Sequence, residues 1–479
     1  VLPFCYFTAK QNISNMFSAQ TYINRRAGLQ SSVKSGLILL TGNGLSPMNY
    51  TDNTYRFRQD SNFLYYMGIN QPGMMALIDC DKGESILLGK EPTIDDFIWT
   101  GPLATLATLG EKVGVEKVLP IDQIGSLLGA AVNSGREVHY LPPYRAENVI
   151  KIHRWLGLSL DDAKEGYSIP LIRAVVAQRE IKSEEEIAAM EKALEITAEM
   201  HLTAMQTAKP GMVEAEVTGK VHGVAVGHGG GLAYPIILTV DGHNLHNHRH
   251  HNVLEAGQLL LGDFGAETAE VYSGDITRTF PVAKQFTTQQ REIYELVLEA
   301  QLAAIEASKP GTTFKSIHLL AATIMAKGLK ELGIMKGDLG SAVEEGAHAL
   351  FFPHGLGHSI GIDVHDMEDL GEAYVGYDKD TVRSKQFGLR SLRFGKALRP
   401  GHVMTVEPGL YFIPELIDLW SAEGKFKEYI NYDALEAYRH FGGVRIEDDI
   451  LITKSGNRLI GPAIPKAVAE VEAIRSAAY

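Results

Sequence analysis

Four carboxylates in this 479-residue chain stand where carboxylates are unusual. Asp263 (LLLGDFG), Asp275 (SGDITRTFPV), Glu407 (VMTVEPG) and Glu447 (GGVRIEDDILIT) each end or interrupt an apolar run that reads as a strand. An ionised carboxylate is almost never fully buried unless it is paired or bound to a metal. Strand alternation puts Asp275, Thr277 and Thr279 on one face, and Arg445 with Glu447 on one face. Residues 256–265 (AGQLLLGDFG) share a pattern with 400–409 (PGHVMTVEPG): a glycine opens an apolar strand and an acid follows six residues on. If these segments belong to two similar halves packed about a pseudo-twofold axis, Asp263 and Glu407 become equivalent, and Asp275 with Glu447 are expected to be so too. Four acids would then converge, and their mutual repulsion calls for cations. Two divalent ions would meet that need. Any one of these acids, taken alone, reads more simply as a strand-end residue facing water. The duplicated contexts set the four apart.

Histidine supplies the second half of the signal. Residues 353–366 (PHGLGHSIGIDVHD) carry His354, His358 and His365, and Gly355, Gly357 and Gly361 favour a close-approach loop or short strand over a helix. The tract 243–251 (HNLHNHRHH) holds five more histidines. Such tracts bind metal adventitiously, and most of these read as solvated. An oxygen-rich donor set that includes imidazole suits hard or borderline cations, Mn²⁺ among them, with Co²⁺, Zn²⁺ or Fe²⁺ as substitutes.

The elements that must position these groups fall into two parts. Residues 16–165 read as an α/β unit: 36–41 (GLILLT) is an apolar strand, and 75–79 with 85–88 flank Asp81-Lys82-Gly83, a hairpin signal. A linker is expected over 166–182, with a loop near Gly166–Pro170. Ser183 and Glu186 form a capping box for a helix with Ile187, Met190 and Leu194 on one face. From there to 466 the chain reads as one domain of two similar halves, helices outside and a mostly antiparallel sheet within. Lys209-Pro210-Gly211 and Lys309-Pro310-Gly311 each end one helix and precede another.

Composition bounds the rest. The chain has 58 acidic and 45 basic residues, a net charge of −13, which argues against nucleic acid as the main partner. No apolar stretch reaches the roughly 18 residues a membrane span needs. Only Cys5 and Cys80 are present, so one disulfide at most is available, and a reducing, cytoplasmic setting is expected. The first residues lack a basic n-region, so they read equally as a trimmed signal peptide or as an extension before a start at Met16.

The motifs GDITRTFPV, HGLGHSIGIDVHD, TVEPGLYFIP and GGVRIEDDILIT, with FRQDSNFLYYMGINQPG nearer the N-terminus, resemble the pita-bread metallopeptidases of the aminopeptidase P and prolidase branch. The resemblance covers nearly the whole chain. It implies an α+β protein: a C-terminal pita-bread domain of the duplicated creatinase/aminopeptidase type, with an α/β N-terminal domain. It implies five metal ligands, Asp263, Asp275, His358, Glu407 and Glu447, around two ions, with Asp275 and Glu447 bridging both. It implies His246 and His365 as substrate-positioning histidines and His354 and Arg445 as residues behind the ligands. Asp263 and Asp275 stand twelve apart, one more than the branch's interval, an addition that a hairpin turn or bulge would absorb.

The implied reaction is hydrolysis of the peptide bond before proline, acting on proline-containing peptides. A water held between two ions loses its proton near neutral pH. Glu407 would shuttle the proton to the leaving nitrogen, while His365 and His246 steady the oxyanion. Release of the N-terminal residue from longer peptides is the favoured activity. A dipeptidase is the alternative, because Arg393 stands where prolidases carry a carboxylate-binding arginine. A metal-free amidinohydrolase or an inactive binding module would not need the five ligands. The branch forms homodimers or homotetramers.

Overall fold

The computed structural model describes residues 17–479. Cys5 and Met16, on which the disulfide and start-site expectations turn, lie outside the described residues. The chain divides into two units, Val1–Gln178 and Arg179–Tyr479.

In the first unit a five-stranded sheet runs in the order Lys117–Pro120, Glu84–Gly89, Met75–Asp79, Leu37–Thr41, Val138–Tyr140. The three central strands are antiparallel and each edge strand is parallel to its neighbour. The hairpin expected around Asp81-Lys82-Gly83 is present, from Met75 opposite Leu88 to Asp79 opposite Glu84, with Gly83 at φ 71°. Leu37 and Leu39 pack with Ile124, Leu128 and Ile152, while Ile38 and Leu40 on the opposite face are equally buried. A strand covered on both faces needs such an unbroken apolar run. Helix Ala19–Val33 contributes two buried arginines. Arg25 donates to Tyr65 O at 3.0 Å and Arg26 to Tyr66 O at 2.9 Å, satisfying carbonyls in the last turn of helix Ser61–Met67.

The segment expected to be a linker holds a helix, Ile169–Arg179. The loop expected near Gly166–Pro170 is present at 166–168, between helices Leu160–Glu165 and Ile169–Arg179. Pro170 stands in the first turn of the second helix, where its missing N–H has no intrahelical partner to lose.

In the second unit the duplication is explicit. Helices Glu184–Thr207 and Glu214–Gly227 flank the first Lys-Pro-Gly turn, and Thr288–Ala307 and Phe314–Glu331 flank the second. Ser183 and Glu186 close the capping box of the first helix. After each turn the backbone repeats itself. Gly211 N donates to Leu254 O and Gly311 N to Leu398 O, both at 2.8 Å, and Gly257 and Gly401 take φ 94° and 93°. Each half then forms an antiparallel hairpin: Leu259–Asp263 with Thr277–Pro281, and Val403–Val406 with Asp448–Ile452. Every strand ladder of this unit is antiparallel among the described residues. Fully buried Leu260, Phe264, Phe280 and Ile450 belong to one core with the surrounding helices, each contributing about 1.5–3 kcal/mol.

The two hairpins meet across the pseudo-twofold axis. Gly262 opposite Arg278 matches Val406 opposite Asp448, and Arg278 pairs with Asp448 at 2.7 Å. Asp275 N donates to Asp449 Oδ2 at 3.3 Å, and in the mirrored place Arg445 N donates to Thr279 Oγ1 at 3.2 Å. By this register Asp275 corresponds to Arg445, and Glu447 to Thr277. The expected equivalence of Asp275 with Glu447 is therefore displaced by two residues. Two residues are one full strand repeat, so both carboxylates still face the same side.

The additional residue between Asp263 and Asp275 lies in the turn. The register runs unbroken from Leu259 opposite Pro281 to the bridge of Glu267 with Ser273, and Val271 in the following turn takes φ 71°. The unit also extends past residue 466. Helix Val468–Ala477 inserts Arg475, fully buried, which donates to Ala208 O at 2.7 Å and Val282 O at 2.6 Å.

Candidate metal centre

The strand ends of both halves open into one cavity of about 490 Å³ within the second unit. All ten residues singled out from sequence line it: Asp263, Asp275, His358, Glu407, Glu447, His246, His354, His365, Arg393 and Arg445. Donor atoms of Asp275, His358 and Glu447 lie within 4.8 Å of one another, close enough to hold a single ion. Asp263 and Glu407 flank this group. The Tyr234 hydroxyl lies 2.7 Å from Asp263 Oδ1 and also bonds Asp275 Oδ1. His358 Nε2 stands 3.4 Å from Asp275 Oδ2 and 3.5 Å from Glu407 Oε1.

The backbone explains why these groups can meet. Residues 353–361 form a loop that lies directly on strand Val403–Val406. A Cβ on Gly357 would come within 2.1 Å of Thr405 O, so only glycine permits the approach. His358 N donates to Thr405 Oγ1 at 3.0 Å, and Thr405 N donates to His358 O at 2.9 Å. His358 Nδ1 bonds the Ser359 carbonyl at 3.1 Å. A carbonyl only accepts, so Nδ1 carries the hydrogen and Nε2 is left toward the carboxylates.

A second chain of hydrogen bonds supports the site from behind. His354 Nδ1 donates to Gly355 O at 2.7 Å, which leaves Nε2 to accept from the Tyr411 hydroxyl at 2.8 Å. Burial, then the Arg445 charge, pushes His354 down to about 3, so the ring is neutral. Tyr411 in turn accepts from Arg445 Nη1 at 2.8 Å. Arg445 also donates from Nε to Thr277 Oγ1 at 3.0 Å and forms an ion pair with Asp263. Thr277 Oγ1 donates to Glu447 Oε2 at 2.7 Å.

Electrostatically the site is an unbalanced cluster of buried acids. Burial raises Glu447 well above the usual carboxylate range, with Asp275 and Glu407 adding to the rise. Burial pushes Glu407 up to about 7 despite the opposing charges of His358 and Arg445. Asp263 is also raised by burial, against the pull of Arg445. For Asp275 burial acts upward, but the hydrogen bond and charge of His358 prevail and hold it low. Glu447 Oε1 is buried with no hydrogen-bond partner among the described residues. An oxygen in that condition costs about 1–3 kcal/mol or more unless something binds it. A hard divalent cation is the group this donor set fits.

His365 lies edge-on to His358, ring centres 4.4 Å apart, and its Nδ1 bonds Glu368 Oε2 at 2.7 Å. His246 is lowered by burial and then by the Arg445 charge. No histidine of the 243–251 tract belongs to the three-donor group, and His246 and His248 line the cavity beside it. Sequence reasoning missed Tyr234, Tyr411, Thr405 and Glu368. Tyr411 was within a quoted motif, TVEPGLYFIP, and Tyr234 follows a glycine run that opens an apolar strand. Neither place announces that a hydroxyl will lie among carboxylates.

Residues 188–454 match metallopeptidase family M24, and residues 22–140 match the aminopeptidase P N-terminal domain. The chain therefore belongs to metallopeptidase family M24, with the pita-bread fold and an aminopeptidase P-type N-terminal domain. It is 33% identical to the Xaa-Pro aminopeptidase of Escherichia coli over 96% of this chain and 98% of that protein. It is 32% identical to the human Xaa-Pro dipeptidase over 92% and 89%. Among solved structures it is similar to Escherichia coli aminopeptidase P in a substrate complex, with a TM-score of 0.80, 31% identity and coverage of 96% and 99%. A zinc-substituted product complex of that enzyme gives 0.79, 31%, 97% and 99%. Among the described residues, no helix is long and apolar enough to cross a membrane.

Proposed function

We propose that this chain releases the N-terminal residue from Xaa-Pro peptides by hydrolysing the bond before proline, as an aminopeptidase P-type enzyme. The observation that carries the reading is the group of Asp275, His358 and Glu447, with a partnerless buried oxygen on Glu447, in a chain that aligns end to end with Xaa-Pro peptidases.

Asp263, Asp275, His358, Glu407 and Glu447 would hold two divalent ions, with Mn²⁺ the best match to four carboxylates and one imidazole, and Co²⁺, Zn²⁺ or Fe²⁺ able to substitute. Bound there, the ions supply an activated water and polarise the scissile carbonyl. The protein's own groups do the rest. Glu407 takes a proton from the water and returns it to the leaving imino nitrogen. His246 donates to the oxygen that gains charge as the carbonyl becomes tetrahedral, and His365, whose Nδ1 hydrogen is committed to Glu368, steadies that oxygen from Nε2 in its protonated form. Arg445 fixes Asp263 and opposes the upward pull of burial on its carboxyl, and the chain from Arg445 through Tyr411 to His354 holds Arg445 in place. The proposal extends to a homodimer or homotetramer in a reducing, cytoplasmic setting.

A dipeptidase reading has one observation in its favour: Arg393 reaches the same cavity, where it suits a free carboxylate. Metal content, with turnover of a Xaa-Pro dipeptide and a Xaa-Pro-Xaa tripeptide, tests both readings. The aminopeptidase reading expects bound divalent metal and cleavage of the tripeptide. Cleavage of the dipeptide alone, abolished by Arg393→Ala, would replace it with the dipeptidase.

A further inference from the structure

Glu368 joins two groups that the mechanism uses separately. Its Oε2 accepts from His365 Nδ1 at 2.7 Å, and its Oε1 accepts from Arg393 Nη1. Glu372 Oε1 stands 3.4 Å from the same Nη1. Chain geometry makes the bridge possible. Met367 takes φ 64°, a left-handed conformation sparsely used by residues other than glycine, and the 3₁₀ turn Glu368–Leu370 follows at once. This reversal returns the Glu368 carboxylate to the ring three residues before it. Arg393, the candidate for binding a free carboxylate, is thus already paired with an internal one.

We propose that Glu368 is a specificity-determining positioning residue: one oxygen orients His365, and the other competes with a substrate's free C-terminal carboxylate for Arg393. The proposal rests on the Xaa-Pro reading. A Xaa-Pro dipeptide presents its carboxylate one residue from the scissile bond and must share or displace the Glu368 contact. A longer peptide presents an amide there and meets no such competition. An ionised carboxylate binds a guanidinium more strongly than a neutral amide does, so the charge of Glu368 tilts the enzyme toward longer peptides. Glu368 is ionised at neutral pH, because the His365 hydrogen bond holds its pKa at about 2.

Steady-state kinetics of the metal-loaded enzyme on a Xaa-Pro dipeptide and the matching tripeptide test this with three variants. Glu368→Gln keeps an acceptor for His365 and loses the charge. It should lower the dipeptide KM relative to the tripeptide KM by about fivefold. Glu368→Ala loses both contacts and should lower kcat on both peptides by roughly tenfold more than Gln does. Glu368→Asp keeps the charge with a shorter reach, so it should lower kcat while its KM ratio stays nearer the native one. In an Arg393→Ala background the Gln effect on the KM ratio should vanish. An unchanged KM ratio in Glu368→Gln, its persistence without Arg393, or equal kcat for Gln and Ala would overturn the proposal. A native enzyme that cleaves neither peptide would instead overturn the Xaa-Pro reading beneath it.

Discussion

Asp263 and Glu407 occupy the same place in the two halves of the second unit, yet their partners are opposite in kind. Asp263 Oδ2 is paired with Arg445, a permanent cation, whereas Glu407 Oε1 faces His358 Nε2 at 3.5 Å. The register explains the divergence. Arg445 takes the position in the second hairpin that Asp275 takes in the first, so one half contributes a charge of each sign where a strict repeat would double the acids. One carboxylate is thereby fixed by the protein, and the other stands beside a group that can lose its proton.

Among the five candidate ligands, Glu447 is the one with a buried oxygen, Oε1, that has no hydrogen-bond partner among the described residues. Glu447→Gln should abolish high-affinity metal binding and lower kcat by at least about a hundredfold, as expected when metal-assisted water activation is lost. Elemental analysis of the purified variant beside its turnover number checks both outcomes. Native metal content with native turnover would remove Glu447 from the site.

Chelation should destabilise the native chain. Ions that bind only the folded state stabilise it by about 4 kcal/mol at a thousandfold excess over Kd, and a unit of this size loses roughly 2–4 °C of Tm per kcal/mol. Scanning calorimetry with and without chelator should therefore show a fall of roughly 8 °C or more. Glu447→Gln should show almost none, and equal responses in the two proteins would place the stabilising ions elsewhere.

Arg445 is buried and satisfies Asp263, Tyr411 and Thr277 together. Removing one partner of a buried ion pair costs about 3–5 kcal/mol, because the other charge is left behind. Arg445→Ala should lose that much in urea unfolding. Arg445→Ala with Asp263→Asn should recover part of the loss, which a double-mutant cycle measures.

His318 predicts a pH dependence remote from the metal ligands. Its ring is fully buried, stacks on Phe352 with centres 4.9 Å apart, and has no hydrogen-bond partner at either nitrogen among the described residues. Burial, and then the charges of His348 and His354, lower its pKa from 6.5 to about 3. Below pH 6.5 the unfolded chain binds a proton that the folded chain refuses, so stability falls as pH drops from 6.5 toward 3. Above 6.5 the contribution is complete. His318→Phe keeps the ring contact and removes the titration. Its unfolding free energy should fall less steeply between pH 6.5 and 4 than that of the native chain, and parallel slopes would refute the assignment.

Much of this molecule was legible in one dimension, for reasons that are local. The hairpin at Gly83 needs a positive φ, the capping box at Ser183 needs two side chains three residues apart, and the paired Lys-Pro-Gly turns carry their geometry with them. The loop near Gly166–Pro170 is present at 166–168, but the rest of the expected linker is helix, because the ring that breaks a helix interior suits a first turn. Residue order alone marks which carboxylates and histidines are out of place, since an acid at the end of an apolar strand is improbable without a partner. How they combine is settled by the folded chain. Register across the pseudo-twofold axis made Arg445 the counterpart of Asp275 and set each against the other hairpin, packing inserted the Tyr234 hydroxyl between two acids, and the reversal at Met367 tied His365 to Arg393 through Glu368. These contacts join residues brought together by strand pairing and side-chain packing, and their geometry is written in no spacing along the chain.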